Sequence, residues 1–385
     1  MSAQSKSSAM PGAANADGPV VNGPFRAEVV GSLLRPARLV EARARAASGA
    51  LDAAGLRAVE DECIREAVAR QEGVGLQVVT DGEFRRTWWN HDFMGRLGGV
   101  EVREDPGALP FVGSTDVRLT SRVVGKVHHA RPIMVADFGF LRSVAKVTPK
   151  NCLPAPAMLY YRGGRAAISK EAYPDLDQLW IDVGRAYAEE IRQLHAAGCN
   201  YLQIDDTSHA FLCDERFRAS VRERGDNPDT MLGLLADALN LAIAQRPPGM
   251  TIAMHTCRGN WKSTWMAEGG YEPVAEVVFN RTRVDAYFLE YDTERAGGFE
   301  PLRFVPRGKK VVLGLVSTKT PALENKDTLK RRIDEASKFV PLENLSISGQ
   351  CGFASSVHGN SLTEDEQWRK LALVVEVARE VWGEA

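Results

Sequence analysis

Short apolar runs alternate with long amphipathic stretches along this chain, and most of the runs end in a polar or sulfur-bearing residue. That alternation limits the fold more than any other feature. Runs at 26–32, 75–81, 145–149, 199–205, 250–255, 284–290, 309–316 and 345–348 predict eight strands. Apolar residues at helical spacing predict helices over 37–73, 175–197, 228–246, 326–339 and 363–382, with Gly198 as the stop after the second. Strands that alternate with helices need crossover connections, and so a parallel sheet. Eight such units permit closure into a single (β/α)8 TIM barrel. An open doubly wound sheet is the competing architecture. No GxGxxG follows the first run, which removes that architecture's commonest nucleotide-binding form.

Between the second and third units, at about 95–140, the rhythm breaks. Thr115-Asp-Val-Arg-Leu-Thr and Arg122-Val-Val-Gly-Lys-Val are polar, β-prone pieces that predict an inserted β-hairpin. Residues 1–24, rich in Ser, Ala, Gly and Pro, predict a flexible, disordered N-terminal tail and lack the apolar core of a signal peptide. One domain then runs over 25–385, a length that a barrel with insertions reaches. With 44% hydrophobic and 25% charged residues the composition is that of an ordinary globular protein. A formal charge of −2 gives no electrostatic reason to expect nucleic acid or an anionic membrane as partner. No apolar stretch approaches the ~20 residues needed to cross a bilayer. Six scattered cysteines without a dense framework fit reduced thiols in a cytoplasm better than disulfides. Nothing in the sequence fixes whether copies of the chain associate into a homo-oligomer.

A barrel carries its functional side chains at the carboxyl ends of the strands. Gly31-Ser32 ends the first run, Asp81-Gly-Glu83 the second, Asp205-Asp206 the fourth, His255-x-Cys257 the fifth, Glu290 the sixth and Cys351 the eighth. Polar groups at the ends of apolar runs are costly unless solvated or partnered. Alternate residues of a strand point the same way, so His255 and Cys257 emerge together. Any one of these residues alone is read more simply as a core histidine or a buried thiol. One His, two Cys and a candidate Glu at matched strand ends suit a tetrahedral Zn²⁺. Structural zinc sites often use Cys-x-x-Cys knuckles. Here those are absent, and separations of 33 residues from Cys257 to Glu290 and 61 from Glu290 to Cys351 demand a preformed fold. A catalytic metal is favoured. Thiolate-rich zinc is a poor activator of water, and its natural task is to bind another thiol and keep it ionised. The bound sulfur is then a nucleophile for alkyl transfer.

Six segments carry a resemblance: Val30-Gly-Ser-Leu-Leu-Arg-Pro36, Val79-Thr-Asp-Gly-Glu-Phe-Arg-Arg86, Tyr201-Leu-Gln-Ile-Asp-Asp206, His255-Thr-Cys-Arg-Gly-Asn260, Phe288-Leu-Glu-Tyr-Asp292 and Gln350-Cys-Gly-Phe353. Over about 25–383 the chain resembles the catalytic barrel of cobalamin-independent methionine synthase, and most closely the short, single-barrel relatives of that enzyme. The resemblance implies that His255, Cys257, Glu290 and Cys351 ligate zinc, with Glu290 yielding when the substrate sulfur arrives. It also implies that backbone from Val30 through Gly31 to Ser32 holds the homocysteine carboxylate, while Glu83 and Asp205 hold its amino group. A desolvated ammonium calls for carboxylates, and an amino-acid carboxylate for backbone N–H donors. The alternative for Glu83 and Asp205 is a rim salt-bridge network with Arg35, Arg85 or Arg86.

The chain departs from the long synthase in two respects. It carries no second, amino-terminal barrel to help grip a polyglutamylated folate, which leaves the methyl donor open among folate, corrinoid and other carriers. The family's transfer step also uses a His after the seventh strand to protonate the leaving nitrogen. The matching stretch, Leu315-Val-Ser-Thr-Lys-Thr-Pro321, has none, so that Lys319 or a water would substitute, or the donor would carry a better leaving group. Thiol addition to an epoxide, as in the related enzymes that use coenzyme M, is one alternative, and a zinc hydrolase a more distant one. Glu83 and Asp205 together favour an amino-acid thiol. The expected partners are therefore a small-molecule thiol and a methyl donor. Among other candidates, Trp88-Trp89 and Tyr160-Tyr161 either line a donor pocket or pack, and His91 and Asp92 could support the site. His128-His129 reads as surface, His358 as rim or loop, and Arg331-Arg332 as a solvated helix face.

Overall fold

The computed structural model describes residues 23–105, 111–112, 114 and 119–385. The predicted tail lies outside the described residues except for its last two positions, as do 106–110, 113 and 115–118 of the insertion.

The chain opens with β1 (Ala27–Glu28), α1 (Ala37–Ala47), α2 (Ala53–Gly73) and β2 (Val78–Val79). A one-turn helix, α3 (His91–Met94), leads into β3 (Gly98–Glu104) and β4 (Leu119–His128). Next come α4 (Val135–Val144), β5 (Thr148–Pro149), β6 (Asn151–Pro154), α5 (Leu176–Ala196) and β7 (Tyr201–Asp205). Three helices follow, α6 (Ser208–Phe211), α7 (Glu215–Glu223) and α8 (Pro228–Ile243), before β8 (Thr251–Thr256). The remainder is α9 (Glu272–Arg281), β9 (Ala286–Glu290), β10 (Lys310–Val316), α10 (Lys326–Ser337), β11 (Leu345–Gly349) and α11 (Glu364–Trp382).

Seven strands form one parallel sheet in the order β1-β11-β10-β9-β8-β7-β6. The second strand, β2, pairs in parallel with β5, which ends one residue before β6 begins. The sheet therefore curls through successive βα units in chain order, an α/β arrangement of the TIM-barrel kind. Between β1 and β2 no ladder forms among the described residues. Individual bonds span the gap instead: Leu33 N–H donates to Gly82 O at 3.0 Å, the Thr80 hydroxyl to Gly31 O at 2.6 Å, and Arg35 to Glu83 O at 3.0 Å.

Every residue of β7, β9 and β11 is buried. Parallel strands covered on both faces read as nearly continuous apolar runs, which is why these were legible. The helix α5 buries Leu179, Val183, Tyr187, Ile191 and Leu194 at spacings of three and four, and the Asp175 carboxylate caps its start by accepting from Asp177 N–H at 3.0 Å.

Two predicted elements differ from those observed. The helix expected over 37–73 is two helices, because Gly49 adopts φ +76° and Asp52 then caps a new helix by accepting from Gly55 N–H at 2.7 Å. The third unit pairs with β2 only at Thr148–Pro149, and its longer strand is Asn151–Pro154. Lys150, Asn151 and Pro154 are poor strand formers and hid it. Within the insertion, β3 and β4 pair antiparallel, with Val100 opposite Val123. At its base Glu190 of α5 accepts from the N–H groups of Ile133 and Met134 and lies 2.6 Å from His129 Nε2. His129 is thus no surface residue, since its ring ties the hairpin to the barrel's outer layer. His128, in contrast, is exposed.

Candidate metal centre

The carboxyl ends of β7, β8, β9 and β11 meet at one rim of the sheet. His255, next to last in β8, lies in register with Asp205, the last residue of β7. Its Nδ1 is 3.1 Å from Asp205 Oδ1 and its Nε2 is 3.3 Å from Gln350 O. Cys257 follows β8 directly and Cys351 lies two residues past β11, and their sulfurs approach to 3.7 Å. One donor atom from each of His255, Cys257 and Cys351 lies within 4.8 Å of the other two, and all three residues are buried. Two thiolates on one tetrahedral Zn²⁺, each at about 2.3 Å, sit roughly 3.8 Å apart. The observed sulfur spacing fits that geometry, and neither cysteine is in a disulfide. A soft, convergent N/S donor set of this kind suits zinc.

Glu290 stands beside this group without joining it. Its Oε2 accepts from Arg258 N–H at 2.6 Å and its Oε1 from Arg295 at 2.7 Å. Burial alone would raise its pKa, but Lys319, Arg258 and Arg295 hold it below the ordinary carboxylate range, at about 2. Lys319 is buried, and its ammonium finds no hydrogen-bond partner among the described residues. It lies in the field of Glu290 and of both cysteines. The hydrogen bond from Cys257 pulls Cys351 below the ordinary thiol value despite burial, with His255 and Lys319 assisting. That same bond, with burial, pushes Cys257 up. One thiolate is already favoured at this spot.

A second buried group adjoins the first. Carboxylate oxygens of Glu83 and Asp205 and the Cys152 sulfur lie within 4.8 Å of one another. Glu83 follows β2 in a left-handed conformation, φ +58°, held by its N–H donating to Asp81 Oδ1 at 2.8 Å and by Arg35 donating to its carbonyl at 3.0 Å. Burial pushes its carboxyl up to about 7, against the pull of Arg86 at 3.6 Å and with the charge of Asp205 adding to the rise. A cation placed between these acids would be strongly favoured. Alongside, among the described residues, the N–H groups of Gly31 and Ser32 meet no hydrogen-bond acceptor. The two groups share a cavity whose wall includes Val30, Ser32, Glu83, Asp205, His255 and both cysteines.

The aromatic candidates divide. Trp89 lines the cavity with Phe111 and Phe211, whereas Trp88 stacks on Trp261 at 4.7 Å, and His358 meets the edge of that same ring. Tyr160 and Tyr161 pack on Trp180 and Phe211. His91 sits 3.3 Å from Ser121, and burial depresses it to about 3, so its ring is neutral. Asp92 closes the turn before α3 by accepting from Thr87 N–H at 2.9 Å. Arg332 is only partly exposed, because it donates to Tyr291 O and covers Phe299, while Arg331 is exposed. Sequence reasoning missed the Arg258 and Arg295 clamp on Glu290, the place of Cys152 between two acids, and Asn260, which donates to Gly352 O at 2.8 Å. Arg258 and Asn260 sit inside the His255–Asn260 segment and could have been flagged there. Cys152 gave no signal, because its strand was misplaced.

The sequence profile described as "Cobalamin-independent synthase, Catalytic domain" matches residues 25–380. The chain belongs to that family. Among its members, the uncharacterized protein YxjG of Bacillus subtilis is 45% identical over 362 residues, which is 93% of this chain and 95% of the relative. A 5-methyltetrahydropteroyltriglutamate–homocysteine methyltransferase of Thermosynechococcus vestitus is 22% identical over 331 residues. There the match spans 86% of this chain but 40% of the longer protein. Among solved structures, a candidate vitamin-B12-independent methionine synthase from Listeria monocytogenes superposes with a TM-score of 0.76 at 37% identity, covering 94% of this chain and all of that one. A B12-independent methionine synthase from a Shewanella species shares the fold, with a TM-score of 0.69 at 21% identity over 92% of this chain and 97% of that one. The cobalamin-independent synthase family thus accounts for the curled sheet and for the rim on which the polar groups lie. No helix among the described residues is long and apolar enough to cross a membrane.

Proposed function

We propose that this protein is a zinc-dependent S-methyltransferase that converts homocysteine to methionine. The observation that carries the reading is the convergence of His255, Cys257 and Cys351 within 4.8 Å at the base of a cavity that also holds two buried acids. In this reading residues 25–385 are one zinc-binding barrel unit with the β3–β4 hairpin inserted, working in the cytoplasm, where six free cysteines stay reduced.

His255, Cys257 and Cys351 would hold Zn²⁺, with Glu290 as the fourth, displaceable ligand after release from Arg295. Bound zinc would lower the pKa of the incoming thiol so that it is kept ionised at neutral pH. The free N–H groups of Gly31 and Ser32, with Val30, receive the amino-acid carboxylate. Glu83 and the open oxygen of Asp205 receive its ammonium. Fixed at both ends, homocysteine presents its sulfur toward the paired cysteines. The sulfur lone pair forms the new S–CH₃ bond as the bond from methyl to its carrier breaks, and the thiol proton is lost. Lys319, buried and unbonded beside the sulfurs, would supply a proton to the leaving group of a folate, corrinoid or other carrier.

Zinc X-ray absorption with and without homocysteine tests the reading. An added sulfur neighbour is expected on thiol addition, and an unchanged shell overturns it. Trials of methyl-folate, methylcobalamin and small epoxides, with the mass of the thiol product as readout, then identify the donor.

A further inference from the structure

The two banks of the β1–β2 gap are tied to the loop of Cys351 in different ways. Ser32 is bonded to that loop directly, since Phe353 N–H donates to Ser32 O at 2.8 Å and Ala354 N–H to Ser32 Oγ at 3.3 Å. Glu83 makes no such bond among the described residues. Its link is Arg35. That guanidinium lies between the loops that follow β2 and β11, is 9% exposed, and donates to four backbone carbonyls. Nη2 reaches Glu83 O at 3.0 Å and Arg86 O at 3.1 Å, while Nη1 reaches Ala354 O at 2.6 Å and Ser356 O at 3.0 Å.

A guanidinium is a rigid planar fork, so the directions of its donors fix the separation of the two loops they hold. Farther along, Trp89 N–H donates to Ser355 O and Val357 N–H to Thr87 O, both at 3.0 Å, and join the same loops past Glu83. Arg35 grasps the Glu83 peptide itself, whose left-handed turn orients the carboxylate. With no ladder between β1 and β2, the reach from that carboxylate to the paired cysteines depends on the fork. We propose that Arg35 is a positioning residue that sets the length of the thiol amino acid this site accepts. It does so by holding the acid that receives the ammonium at a fixed span from the loop that carries Cys351. What the span measures rests on the homocysteine reading. Asp205 stands on β7, outside the fork, so loosening Arg35 relaxes the selection and does not abolish binding.

The test compares three thiols on the full chain as purified: homocysteine, cysteine with one methylene fewer, and the homologue with one methylene more. Methyl transfer gives kcat/KM for each, and calorimetry gives each dissociation constant. A reacting atom misplaced by about 1 Å costs on the order of 100-fold, so wild type should favour homocysteine over both neighbours by roughly that factor in kcat/KM. Arg35→Met, which keeps the stem and removes the fork, should shrink both ratios at least about fivefold. Arg35→Lys keeps the charge, but one ammonium cannot span both loops, and it should shrink them at least about threefold. The lysine variant alone decides the matter should Arg35→Met fail to fold. His129→Asn, which loosens the inserted hairpin far from the rim, should leave the ratios within about twofold of wild type. An Arg35 that only stabilises the fold would lower all three thiols by one factor, and unchanged ratios in the Arg35 variants overturn the proposal. If wild type methylates no thiol, the methyltransferase reading falls, and the ratios of dissociation constants decide this proposal by the same limits. Wild type that binds the three amino acids alike, or binds none of them, overturns it.

Discussion

Replacing Glu83 by Gln should strengthen the fold and weaken the enzyme. Burial raises the Glu83 carboxyl from an ordinary 4.5 to about 7. At 1.36 kcal/mol per tenfold change in proton affinity, that interval corresponds to about 3 kcal/mol. A carboxyl whose folded pKa lies above its unfolded value contributes fully below about pH 4.5 and loses that contribution as pH rises through about 7. Glutamine copies the protonated form. Urea unfolding should therefore give nearly equal stabilities for Glu83→Gln and wild type at about pH 4, with the variant ahead by up to about 3 kcal/mol at about pH 8.5. A substrate ammonium between Glu83 and Asp205 reverses the balance, because it favours the ionised form. Loss of a charge-assisted hydrogen bond is worth about 1.5–3 kcal/mol, so KM for homocysteine should rise roughly 10- to 150-fold in the variant. The constant for 4-mercaptobutyrate, the same thiol without its amino group, should not move. A variant less stable than wild type at pH 8.5, or an equal loss with both thiols, would refute the reasoning.

Cys351→Ser should lose metal and activity together, and stoichiometric zinc in the purified variant would remove Cys351 from the ligand set. Gly31→Ala would place a methyl 2.9 Å from Glu83 Oε1 and 3.1 Å from Cys152 Sγ. Crowding of that size should cost about 1–3 kcal/mol in thermal or urea unfolding and raise KM for the thiol. Lys319→Met should lower kcat with a donor whose leaving group needs a proton, leaving KM for the thiol nearly unchanged; equal losses in both parameters would assign the side chain to thiol binding instead.

The repeating βα units were legible because β7, β8, β9, β10 and β11 are almost wholly buried and so are largely apolar, with Gln203, Ser346 and Ser348 as interruptions. The polar residue at the end of each run announced the rim. The turn at Gly49 stayed hidden because both flanking helices carry the same apolar period, and one glycine in such a pattern is ambiguous. The buried pairing of Lys150 with Glu28 left no sign, since a sequence cannot say that two ions 122 residues apart will meet inside a sheet at 3.1 Å. The same holds for Arg295 on Glu290 and for His129 on Glu190. Such partners are set by tertiary approach and leave no local pattern.

The gap between β1 and β2 has a mechanical consequence. Among the described residues no ladder joins these two strands, and the unbonded N–H groups of Gly31 and Ser32 lie on one side with Glu83 on the other. On the proposed reading, an amino acid held by its carboxylate on one bank and its ammonium on the other would act as a rivet across this junction. Binding should accordingly slow amide exchange first along this seam, and the protein should stiffen where it grasps its substrate.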